Sequence, residues 1–121
     1  SDSITSNSIY EGVDEKVATA IDKACKKYNM DPSFIMAVIK QESNFNSNAV
    51  SSAGATGIMQ IMPFNFAGLG ITDPYDVEQN IDGGTKMLSN LLDVYQDYQD
   101  KITYGSFTNV WTYQNWKNII V

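Results

Sequence analysis

Histidine is absent from this 121-residue chain, and cysteine occurs once. Without histidine there is no Ser-His-Asp or Cys-His catalysis and no zinc-histidine site. The lone Cys25 allows no intramolecular disulfide and no cysteine-rich metal centre, and its place on an apolar helical stripe marks it as core filler. No metal or cofactor is therefore expected. Any acid–base chemistry falls to Asp, Glu, Tyr or Lys.

Basic residues are also few: 8 Lys plus Arg against 14 Asp plus Glu, for a net charge of −6. Nucleic-acid binding needs a basic stripe, so that class of partner is excluded. Recognition of an anionic or zwitterionic polymer has to rest on hydrogen bonds and stacking. Long hydrophobic runs are lacking too, and no window approaches the roughly 20 apolar residues of a membrane span. Residues 1–9 have neither the basic start nor the apolar middle of a signal peptide. Either a signal has been removed or the chain is one module of a longer protein. The expected organisation is a flexible tail over residues 1–9 and a single domain over 10–121.

What is present is apolar spacing of helical period, which predicts an all-α fold. A first helix is expected over 13–28, with Val17, Ile21, Ala24 and Tyr28 on one stripe and Asn29 as its stop. Asp31-Pro32 opens a second helix, over 32–43, with Asp as N-cap and Pro at the first position. Its predicted buried stripe is Phe34, Ile35, Val38 and Ile39. Residues 44–56 read as a loop, 57–62 as a short helix or turn, and 63–69 as another ending at Gly70. Asp73, Pro74 and Asp76 mark a turn and cap before a long helix over 81–95. Residues 96–105 are polar and give no clear pattern. A final helix is expected over 110–120, anchored by Trp111, Trp116, Ile119 and Ile120.

Glu42 is the first candidate for chemistry. It follows Ile35, Val38 and Ile39 at offsets that continue their stripe to the helix's C-terminal end. Partial burial and the negative end of the helix dipole both disfavour its charged form, as a general acid requires. Periodicity alone favours a solvated helix-end glutamate. The Ser/Ala/Gly loop that follows lets a flat, hydroxyl-rich ligand approach the backbone. Ser51 and Gln60 suit hydrogen bonds to sugar hydroxyls or acetamido groups, and Met62 suits an adaptable apolar contact. Read singly, each is equally a turn or core residue. Asp73, Asp76 and Asp82 read as caps or solvated helix positions.

Together these residues resemble a known family. Gln41-Glu42-Ser43, then Ala49-Val50-Ser51 and Gly54-Ala55-Thr56-Gly57-Ile58-Met59-Gln60-Ile61-Met62-Pro63, are similar to the signature of soluble-lytic-transglycosylase domains, relatives of goose-type lysozyme. Only Ile58, in place of leucine, departs from this pattern. A second family block is matched by Asp73-Pro74 and Asn80-Ile81-Asp82-Gly83-Gly84. The third block, an Ala-Tyr-Asn-Ala-Gly-Pro-Gly-like turn, is missing. Its nearest counterpart runs from Thr103 to Val110 and makes Tyr104 the equivalent of the family's tyrosine, with Tyr95, Tyr98 and Tyr113 as alternatives.

The resemblance implies a compact lysozyme-like helical domain with a catalytic cleft. It implies Glu42 as acid and then base, Tyr104 as the hydroxyl that steadies it, and Ser51, Gln60 and Met62 as sugar contacts. The implied partner is the peptidoglycan glycan strand, cleaved to a 1,6-anhydromuramoyl end. The implied location is extracellular or in the cell envelope, within a larger multidomain or envelope-spanning assembly. A hydrolytic muramidase and a weakened glycan-binding module stay open on the same scaffold.

Overall fold

The computed structural model describes residues 8–104, with the side chains of 9–100. The chain divides into two compact units, Ser1–Met87 and Leu88–Val121. Helices dominate; among the described residues the only β-type pairings are isolated bridges, Val50 to Thr56 and Thr56 to Ile61. The expected final helix over 110–120, and Tyr113, lie outside the described residues.

A 3-10 turn at Ser8–Tyr10 buries Tyr10 and leads into α1, Glu15–Tyr28. Asp14 caps α1, its carboxylate accepting from the backbone N–H of Lys16 at 3.0 Å and of Val17 at 3.4 Å. Glu15 in the first turn and Lys26 and Lys27 in the last complement the helix dipole. Asn29 ends the helix in the left-handed region at φ 54°, and Met30 N–H donates back to the Cys25 carbonyl. Val17, Ala18, Ala20, Ile21, Ala24 and Cys25 form the buried face, so Cys25 is core filler as its stripe position implied.

The second helix, α2, spans Pro32–Ser43, the bounds the sequence predicts. Asp31 accepts from Ser33 N–H at 2.9 Å, and Pro32 occupies a first-turn position that needs no donor. The stripe is narrower than expected. Ile35 and Ile39 are fully buried, Val38 is half-buried and Phe34 is 39% exposed. At 100° per residue, a face centred on Ile35 and Ile39 turns Phe34 towards solvent.

Residues 57–62 form a turn and no helix, bringing Ile58, Met59 and Ile61 into the core. The 3-10 turn Pro63–Asn65 and the one-turn helix α3, Phe66–Leu69, follow, closed by Gly70. The last described helix, α4, spans Val77–Tyr104. It starts earlier and ends later than the apolar pattern over 81–95 suggested. Asp76 caps it by accepting from Gln79 N–H at 2.9 Å. Its polar continuation is supported by pairs such as Gln96 to Asp100, 3.0 Å apart.

In the first unit, α4 is tied to α1 by Lys23–Glu78 at 2.7 Å and Lys27–Asp82 at 3.1 Å. The Tyr28 hydroxyl also bonds the Asp82 carboxylate at 3.1 Å. Asp82 is thus an inter-helix anchor; the sequence suggested a solvated or capping position. A groove of about 360 Å³ on this face is lined by Lys23, Lys27, Asp76, Glu78, Gln79 and Asp82. Its lysines are spent on these ion pairs.

Candidate active site

Glu42 is the penultimate residue of α2 and is exposed. The dry setting expected from the Ile35–Ile39 stripe is not what the fold provides. The packed layer ends at Ile39, and the chain then turns at Asn44 and Phe45, both left-handed at φ 52° and 66°. Among the described residues the Glu42 carboxylate joins no hydrogen bond or ion pair. It is a carboxylate in contact with solvent, displayed at a capped helix end.

The neighbouring Ser43 fixes that helix end. Its hydroxyl donates to the Ile58 carbonyl at 2.6 Å, with the Ile39 carbonyl 3.3 Å away as a weaker acceptor. One bond thereby joins the last turn of α2 to the loop that carries Gln60. Spacing assigns Ser43 no role of its own; its adjacency to Glu42 is the available signal.

Gln60 is half-buried and left-handed, at φ 55°. Its Nε2 donates to the Ala49 and Gly57 carbonyls, both at 2.9 Å. Both amide protons are engaged inside the loop, so toward a ligand the side chain offers its oxygen as acceptor. Ser51 is exposed, and its Oγ accepts from Ala55 N–H at 3.0 Å, leaving the hydroxyl proton to donate elsewhere. Met62 is half-buried immediately before the 3-10 turn, and its carbonyl accepts from Asn65 N–H at 2.9 Å. Tyr104 is the last residue of α4, so its backbone is helical; the sequence suggested a turn there. Its side chain lies outside the described residues. Tyr95 and Tyr98, half-buried, belong to the same second unit.

Asn80 is matched in the second family block, and the structure gives it a role that the sequence did not assign. Fully buried on α4, it accepts from Met59 N–H at 2.8 Å and donates to the Thr56 and Pro74 carbonyls at 3.0 and 2.8 Å. Every polar valence it directs inward is matched, so its burial carries no desolvation penalty without a partner. An asparagine inside an apolar helical face was the signal. Gly57, at φ +85°, lies so close that a Cβ there would stand 2.2 Å from Asn80 Nδ2. The shifted acids lie elsewhere. Burial, with the charges of Asp22 and Cys25 nearby, lifts Tyr10 to about 12; burial, with Asp22 and Asp31, lifts Cys25 to about 11.

Comparison with known proteins gives these features a family. A transglycosylase SLT domain model matches residues 19–116. Among similar proteins, a transglycosylase of Enterobacteria phage PRD1 is 40% identical over 90 residues, 74% of this chain and 34% of its own length. Membrane-bound lytic murein transglycosylase F of Desulfosudis oleivorans is 39% identical over 83 residues, 69% of this chain and 18% of its own. Membrane-bound lytic murein transglycosylase C of Shigella sonnei is 32% identical over 125 residues, 92% of this chain and 35% of its own. The solved structure of an inactive glutamate-to-glutamine mutant of lytic transglycosylase Slt from Pseudomonas aeruginosa matches with a TM-score of 0.58 and 29% identity. That match covers 64% of this chain and 14% of the other. The fold is therefore all-α and lysozyme-like. The chain belongs to the transglycosylase SLT domain family, and it spans about a third or less of the length of these relatives.

Proposed function

We propose that the chain is the catalytic domain of a peptidoglycan lytic transglycosylase, with Glu42 as its single acid–base group. The observation that carries the reading is a solvent-accessible carboxylate, without a hydrogen-bond or ion-pair partner among the described residues, at a helix end that Ser43 bonds to the loop displaying Ser51 and Gln60. The relatives' names and the inactive glutamate-to-glutamine mutant among the solved structures support the same chemistry.

Glycosidases usually use two carboxylates. Asp73, Asp76 and Asp82 are occupied here: Asp73 holds Tyr75 N–H, Asp76 holds Gln79 N–H, and Asp82 holds Lys27 and Tyr28. A single carboxyl suffices when the substrate supplies the nucleophile. Glu42 gives its proton to the oxygen joining N-acetylmuramic acid to N-acetylglucosamine, and that C1–O bond breaks. The ionised Glu42 then takes the proton of the muramoyl C6 hydroxyl, whose oxygen bonds to C1. The 1,6-anhydro ring closes, Glu42 ends protonated, and no water is consumed. Ser51 and Gln60 serve as donor and acceptor for the sugar, with Met62 as an apolar contact. Tyr104 is assigned to steady Glu42 on the sequence resemblance alone. The relatives' membrane-bound names favour work in the cell envelope; no helix among the described residues is long and apolar enough to cross a membrane.

The test is mass spectrometry of muropeptides released from purified sacculi. Fragments lighter by one water than reducing-end muropeptides support the reading. Reducing ends alone assign a hydrolase, and intact sacculi refute catalysis.

A further inference from the structure

Phe64 has no role in the fold. It is 79% exposed, the most exposed of the large hydrophobic residues in the described chain, in a protein whose other phenylalanines there are at least partly covered. A scattered surface apolar residue carries no message by itself. Three features set Phe64 apart. It stands two residues after Met62, on the segment that continues from the Gly57–Ile61 turn. It sits at the centre of a fixed 3-10 turn, Pro63–Asn65, started by Pro63 and closed by Asn65 N–H on the Met62 carbonyl at 2.9 Å. That turn is seated on α4, the Asn65 amide reaching Met87 Sδ at 3.9 Å. The ring is held out to solvent from a proline-started, hydrogen-bonded turn.

We infer that Phe64 is a stacking platform for a pyranose ring of the glycan, extending the sugar contacts beyond Met62. This rests on the function proposed above. A β-1,4-linked N-acetylhexosamine presents faces of axial C–H groups, which are apolar and slightly positive. They complement the electron-rich face of an aromatic ring. A neutral ring contact of this kind does not depend on the chain's net charge of −6. At 79% exposure, Phe64 can change without cost to the core.

The test uses the Glu42→Gln protein, expected on the function proposed above to hold glycan without cleaving it, and measures chitohexaose binding by calorimetry. Phe64→Ala and Phe64→Leu are expected to weaken binding about five- to tenfold, and Phe64→Trp to keep or tighten it, with far-UV circular dichroism unchanged. Leucine keeps apolar area but lacks a ring face, so wild-type affinity in Phe64→Leu overturns the inference. So does an affinity indifferent to residue 64, or a dimer in sedimentation that Phe64→Ala dissolves. Each of these leaves Glu42 catalysis standing. Intact sacculi with the wild-type protein would instead overturn the reading on which this one rests.

Discussion

Gly57→Ala is the substitution on which the packing argument is most exposed. Gly57 has φ +85°, and a Cβ there would lie 2.2 Å from Asn80 Nδ2, 2.3 Å from the Pro74 carbonyl oxygen and 2.9 Å from Asn80 Cγ. The backbone oxygen has no flexible tail to retreat along. Asn80 can move only by giving up bonds to Thr56, Pro74 and Met59. The left-handed backbone contributes about 1–2 kcal/mol. Two buried hydrogen bonds left open add about 1–3 kcal/mol each. The sum is roughly 3–8 kcal/mol, a large share of the 5–15 kcal/mol typical of a domain. Gly54 supplies the control, since it has φ +96° and nothing within 4 Å of its Cβ position. Gly54→Ala should show the backbone penalty alone. Urea unfolding followed by far-UV circular dichroism compares the two. With a slope of about 1–3 kcal/mol per molar, Gly57→Ala should lower the midpoint by about 2 M, or fail to fold. Midpoints for the two variants within about 0.5 M of each other would refute the claim that Asn80 and Pro74 forbid a side chain at Gly57.

Glu42→Gln should lose about 10²–10⁴-fold or more of turnover while thermal stability stays within about 0.5 kcal/mol, because the exposed carboxylate has no described partner to lose. Turbidity of sacculi and a melting curve check both halves. Asn80→Asp turns the donor facing two carbonyls into an acceptor and should cost about 3–5 kcal/mol at pH 7. Acidification should partly restore its melting temperature as the carboxyl regains a proton. Cys25 and Tyr10 are raised in the folded state, from 9.0 to about 11 and from 10.0 to about 12, so the unfolded chain releases those protons first. Their contribution is whole below about pH 9 and is lost as pH rises from 9 to 12, up to about 3 kcal/mol from the thiol. Melting temperatures across that range should fall, and Cys25→Ala should flatten the lower part of the decline.

The local rules of the chain were legible where the partners are adjacent in sequence. Asp31 and Pro32 set the start of α2, and Asn29 stopped α1, through bonds spanning a few residues. Tertiary partners left no such trace. Asn80 reaches 21 residues back to Met59, and Ser43 reaches 15 forward to Ile58. The ends of α4 escape the apolar pattern because its first turn and its continuation beyond Tyr95 are mostly polar, and polar residues leave no apolar period to read. Glu42 illustrates the opposite error. Its register on the Ile35–Ile39 stripe was read correctly, but a stripe says which side a residue faces and not where the packed layer stops.

The loop motif itself divides into residues that fasten and residues that present. Gln60 holds φ 55°, where glycine would be the easier choice. Glycine there would remove both Nε2 bonds, to Ala49 and to Gly57, and open the turn between them. The strain of a left-handed glutamine, about 1–3 kcal/mol, is therefore offset by the two hydrogen bonds that the side chain alone supplies. The same two bonds fix the amide's orientation and leave its oxygen as the atom available to accept. One residue both closes the loop and sets the polarity of the group it exposes.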